Sequence, residues 1–107
     1  MTNACIVLTT AGSVDEARKI ARALVERRLA ACVNIVPQIE SVYRWQGKIE
    51  TASECLLVVK IVATAFEGVR ATIKALHSYE TPECIMLEVA AGNQDYLDWI
   101  TGSVEYP

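Results

Sequence analysis

The chain has 107 residues, 52% of them hydrophobic, which is enough for one compact core and too few for a second. Charged residues make up 21% with both signs interspersed, and the net charge of -3 leaves no surplus of cations to neutralise a phosphate backbone. A single domain over residues 1–107 is expected, and nucleic acid is not an expected partner.

The opening stretch, Met1 to Leu8, has neither the basic lead nor the long apolar run of a secretory signal. No later apolar run nears the roughly 20 residues that cross a bilayer, so a soluble, cytoplasmic protein is expected. Cys5, Cys32, Cys55 and Cys84 include no Cys-x-x-Cys pair, and each sits in a strand-like apolar stretch. They read as reduced core thiols, set against a disulfide framework or a zinc site as the alternatives.

Ala4 to Thr10 is a β-branched-rich run bounded by Ala11-Gly12, which predicts the first strand. Ser13 and Glu16 have capping-box spacing, and Ala17, Ile20, Ala21, Leu24 and Val25 then recur at helical intervals. This first helix should close on Arg27 and Arg28, whose charge suits a C-terminal dipole. Ala31 to Trp45 is strand-like again, with Pro37 predicting a bulge or an edge position because proline cannot donate to a ladder. Gln46-Gly47 predicts a two-residue turn and Lys48 to Val62 the return strand, giving a long hairpin with Tyr43, Arg44 and Trp45 near its tip.

Thr64 and Glu67 repeat the capping-box spacing, and Phe66, Val69, Ile73 and Leu76 make the apolar stripe of a second helix that stops near His77-Ser78. Glu83 to Ala90 reads as a fourth strand, Ala91-Gly92 as a turn, and Asn93 as the cap of a short last helix through Tyr96, Leu97 and Ile100. The order strand, helix, strand, strand, helix, strand is the split βαβ signature of an α+β, ferredoxin-like fold with an appended helix. Right-handed crossovers put both main helices on one face of the antiparallel sheet. Leu56-Leu57-Val58-Val59 is apolar at consecutive positions, so both faces call for burial, and no helix remains for the second. A partner subunit reached by the long hairpin would supply the missing cover.

The stretch His77-Ser78-Tyr79-Glu80-Thr81-Pro82-Glu83 gathers a histidine, a tyrosine and carboxylates between two elements. His77 with Glu80 and Glu83 could bind copper, zinc or another divalent cation; the alternative is a helix-end histidine bonding last-turn carbonyls. Lys60 inside an apolar strand must snorkel, or meet a carboxylate or an anionic ligand. Tyr43 and Trp45 share a strand face, as anchors of a subunit contact or as the wall of a ligand pocket. No Gly-x-Ser-x-Gly elbow, Walker loop, dinucleotide fingerprint or His-Glu-x-x-His occurs, so no catalytic residue, enzymatic activity or organic cofactor is indicated.

Leu29 to Ile35, Ser41 to Glu50, Leu56 to Lys60, His77 to Glu83 and Gly92 to Ile100 together resemble the CutA divalent-cation tolerance family, in order and along nearly the whole chain. The resemblance implies a homotrimer akin to the PII proteins, cytoplasmic, without an established reaction, and linked to tolerance of divalent metals, copper above all. By the same resemblance Cys32, Tyr43, Trp45, Lys60, His77, Tyr79 and Glu83 match positions near clefts between subunits. Some similar chains use a first-strand cysteine and adjacent histidines for copper; here those stretches are Leu8-Thr9-Thr10 and Leu76-His77. Where the family has His-Pro-Tyr this chain has His77-Ser78-Tyr79, and Cys84 stands where an aliphatic residue is usual. A second functional reading is a PII-like signalling module that takes a small anionic molecule in such a cleft, with Lys60 as its charge partner.

Overall fold

The computed structural model describes residues 2–104. Met1 and residues 105–107, which the expected domain also included, lie outside the described residues. The elements are β1 (Ala4–Ala11), α1 (Val14–Glu26), β2 (Cys32–Trp45), β3 (Lys48–Val62), α2 (Phe66–Leu76), β4 (Ile85–Glu88) and α3 (Gln94–Ser103). The four strands form one antiparallel sheet in the order β2-β3-β1-β4, giving an α+β fold with three helices.

Ser13 caps α1 as its spacing predicts, its hydroxyl accepting the Glu16 N–H at 3.1 Å. The return half of the capping box is missing, because the Glu16 carboxylate turns away to the loop after α2. The helix ends at Glu26, one residue before the expected arginines. Arg28 takes a left-handed φ of 59° and the N–H of Leu29 closes back on the Leu24 carbonyl at 3.0 Å. The second capping box does not form. Ala63–Ala65 make a 3-10 turn, Ala65 opens α2 without a side-chain cap, and Glu67 instead pairs with Arg70 along the helix. Strand β4 has four residues, fewer than Glu83 to Ala90, so Cys84 lies just ahead of a strand rather than inside one.

Side-chain parity sorts the sheet into two faces. Cys5, Val7, Leu57, Val59 and Ile61 point to the helices and form the main core with Ile20, Leu24, Val69 and Ile73. The other face carries Ile6, Leu8, Val36, Leu56, Val58, Ile85 and Leu87, with Cys32, Asn34 and Lys60 among them. Its roof is partial. Ala4 and Val62, which share that parity, are buried beneath Leu97, Ile100 and Val104, so α3 covers one end of a face expected to have no helix at all. Beyond that end Val36, Ile85 and Leu87 remain 42%, 53% and 48% exposed.

The hairpin runs past the sheet. β1 pairs with β3 only from Cys55 to Val62, so Lys48–Glu54 and their β2 partners continue as a two-stranded ribbon. Gln46 and Gly47 both have positive φ, 49° and 78°, as a type I′ turn requires. The bulge predicted from Pro37 is present: Val36 faces Leu56 but Ile39 faces Glu54, so β2 carries one more residue than β3 across that step, and Gln38 sits at φ 60°. One extra residue reverses parity. Cys32, Asn34 and Val36 lie on the open face before the bulge, and Ile39, Ser41, Tyr43 and Trp45 lie on that same face after it.

Candidate acidic and aromatic cleft

The bulge therefore turns Tyr43 and Trp45 to the side on which Thr10 and Glu54 stand. The loop from Tyr79 to Glu83 meets them there, and an open cleft of about 690 Å³ results, lined by Thr10, Ser41, Val42, Tyr43, Trp45, Glu54, Tyr79, Glu80, Thr81 and Glu83. Five residues expected at a site, Tyr43, Trp45, Tyr79, Glu80 and Glu83, share this cleft. Glu54 was not among those expected and forms its buried part, 9% exposed. The only signal for it in the sequence is a carboxylate directly ahead of the apolar run from Cys55 to Ile61.

Polar contacts fix the loop. The Tyr79 hydroxyl donates to Glu54 Oε2 at 2.8 Å, and the Lys74 ammonium donates to the Glu80 carbonyl. Burial and that bond to Glu54 push the Tyr79 phenol up to about 12. Partial desolvation, with the Glu54 carboxylate nearby, raises the Glu83 carboxyl above its usual range. The cleft is therefore rich in negative charge, and among the described residues no lysine or arginine forms an ion pair with Glu54, Glu80 or Glu83.

His77 stands behind the loop rather than among the residues lining the cleft. Its side chain is fully buried and both ring nitrogens are used: Nε2–H donates to the Thr10 carbonyl at 2.6 Å, and Nδ1 accepts the Tyr79 N–H at 3.0 Å. Glu16 Oε1, 3.2 Å from Nδ1, receives the Ser78 N–H at 3.2 Å and the Ser78 hydroxyl at 3.1 Å. The helix-end reading holds in altered form, because the carbonyl served belongs to β1 and not to the last turn of α2. A copper or zinc ion needs a free imidazole lone pair directed at it, and here the single lone pair is committed to a backbone N–H. Among the described residues no group of three or more His, Cys, Asp and Glu side chains is arranged to hold a metal ion. The set His77, Glu80 and Glu83 thus does not fit a metal within one chain.

Cys32 and Lys60 are opposite one another in the register, towards the far end of the open face, and line no part of the cleft. The Lys60 ammonium donates to Asn34 Oδ1, so this lysine meets a neutral amide rather than a carboxylate. All four cysteines are free; Cys5 and Cys55 are buried, Cys32 and Cys84 half-buried.

Comparison with known proteins agrees with this architecture. The family model described as CutA1 divalent ion tolerance protein matches residues 5–103. The Divalent-cation tolerance protein CutA of Thermus thermophilus is 53% identical over 95 residues, covering 89% of this chain and 92% of that protein. Protein CutA, chloroplastic, of Arabidopsis thaliana is 41% identical over 98 residues, and the match spans about half, 54%, of that longer protein. The crystal structure of CutA from Xylella fastidiosa superposes with a TM-score of 0.95 at 38% identity, covering 97% of this chain and 100% of that one. On matches of this extent, carried through every strand and helix described above, the chain belongs to the CutA1 divalent ion tolerance family.

Proposed function

We propose that this chain serves tolerance of divalent cations, copper foremost, as a cytoplasmic homotrimer of PII-like design with no catalytic step of its own. The observation that carries the reading is the apolar sheet face that α3 leaves open, where Ile6, Leu8, Leu56 and Val58 are half-buried and Val36, Ile85 and Leu87 exposed. Covering such a surface is worth about 25 cal/mol per Å² of apolar area, and sister chains turned sheet to sheet would cover it in all copies at once. The ribbon argues the same way. A two-stranded ribbon alone in water is marginally stable, yet this one displays Val42, Trp45 and Ile49 at 64%, 58% and 69% exposure.

Family membership supports the cation side of the reading, and the fold by itself supports no chemistry. Carboxylates in the cleft favour positive charge over the small anionic molecule of the second reading, and Lys60 lies outside it. Four free thiols suit a reducing compartment. The test is sedimentation of the wild-type chain and of Val58→Asp, which puts a charge on the open face, alongside copper survival of cells lacking the native protein. A wild-type trimer, a smaller but folded variant, and survival restored only by the wild type are expected. A well-folded wild-type monomer at micromolar concentration, or equal survival with the two chains, would overturn the proposal.

A further inference from the structure

His77 Nδ1 faces two groups that make opposite demands on it. The Tyr79 N–H at 3.0 Å requires a lone pair there, while Glu16 Oε1 at 3.2 Å requires a proton. The neutral ring satisfies Tyr79 and leaves two acceptors face to face; the protonated ring satisfies Glu16 and leaves two donors face to face. Nε2–H donates to the Thr10 carbonyl in either form, so the ring stays in place and only the partner of Nδ1 changes. One buried side chain with two arrangements, each carrying a single misfit, is a bistable element that a proton can bias.

We propose that His77 is a proton-operated latch on the loop from Tyr79 to Glu83: protonation moves Nδ1 from the Tyr79 N–H to the Glu16 carboxylate and frees the start of the loop. Ser78 marks the hinge, because Glu16 Oε1 holds its N–H and its hydroxyl in both states. Among the described residues Glu16, from α1, is the charged side chain in contact with the ring. β1 brings only the neutral Thr10 carbonyl, and the loop brings the Tyr79 ring, 4.6 Å away between centroids. Farther out, the Tyr79 hydroxyl meets Glu54 of β3 in the cleft that Tyr43 of β2 also lines, and Lys74 of α2 donates to the Glu80 carbonyl. Those bonds do not involve the ring, so the release is local. At the end of the loop partial burial raises the Glu83 carboxyl, which also takes up a proton as the pH falls and needs its own control. Every residue of the latch belongs to one chain, so the inference goes beyond the proposed assembly and does not need it.

The test is nitrogen-15 NMR of the full chain between about pH 8 and pH 5, with amide exchange expressed as protection relative to the unstructured peptide. The His77 shifts should show a bare Nδ1 at the alkaline end and two protonated nitrogens at the acid end. Over the same step the protection of the Tyr79 amide should fall roughly tenfold or more, while the amides of β1 and β3 keep theirs. Glu16→Gln, which has no charge to set against an imidazolium, should move the step to lower pH, and Glu83→Gln should leave it in place. His77→Gln should abolish it; should that variant fail to fold, the wild-type ring shifts and the Glu16→Gln protein carry the test. A ring that stays neutral throughout, a Tyr79 amide equally protected at both ends, or a step that Glu83→Gln removes overturns the proposal. An assembled protein without the step removes the latch alone, and a monomer that shows it removes the assembly alone.

Discussion

The Tyr79 hydroxyl donates a 2.8 Å hydrogen bond to Glu54 Oε2, tying the loop after α2 to a carboxylate buried on the open side of the sheet. Removing that donor leaves a buried acceptor without its partner. Tyr79→Phe should lower stability by about 1–2 kcal/mol, seen as an earlier urea midpoint with an unchanged slope. An unaltered midpoint would mean that water serves Glu54 equally well.

Alkaline pH should act through the same bond. The phenol of Tyr79 rises from 10.0 to about 12, so the folded state favours its neutral form. A group raised in this sense stabilises fully below its unfolded value, and the contribution is lost as pH climbs from 10.0 towards about 12. Ultraviolet titration should show a late tyrosinate step in the wild type that is absent from Tyr79→Phe, together with a shallower loss of stability in the variant. Identical curves for the two proteins would contradict this.

Substituting His77 should disturb the fold and spare copper. His77→Ala deletes the bonds to the Thr10 carbonyl and the Tyr79 N–H and hollows a buried position, which predicts a loss of about 2–3 kcal/mol. Copper affinity measured by calorimetry should match the wild type. Weaker copper binding in a folded variant would restore the imidazole as a ligand.

Deleting Gln38 should remove the bulge and leave Ile39 opposite Glu54, so Tyr43 and Trp45 keep the side of the ribbon that carries Glu54. Cross-strand nuclear Overhauser contacts from Tyr43 to Glu50 and from Trp45 to Lys48 should therefore persist in the variant. Loss of those contacts would show that the ribbon re-registers by another route.

Much of this was legible in the sequence because the signals are local. Ser13 caps α1, Pro37 marks the bulge, and Gln46-Gly47 makes the turn, each through neighbours a few residues away. The second capping box failed because Ala63–Ala65 coil into a 3-10 turn, so α2 opens at Ala65 rather than at Thr64. The cleft was half legible. Aromatic spacing marked Tyr43 and Trp45, but Glu54 gains its role from Tyr79, 25 residues away, and His77 loses its free lone pair through contacts with the loop and with Thr10, 67 residues away. Cys32 and Lys60, which the resemblance puts near clefts between subunits, lie on the open face apart from the cleft that one chain forms.

Because the supernumerary residue beside Val36 is absorbed without a partner, the facing of the outer hairpin is set by the number of paired rungs between Glu54 and Tyr43 and not by the length of either strand alone. Lengthening that stretch by two rungs would carry the aromatic groups outward while preserving their orientation. A single added rung would send the rings to the other side, so drift in hairpin length among descendants of this chain should come in pairs of rungs.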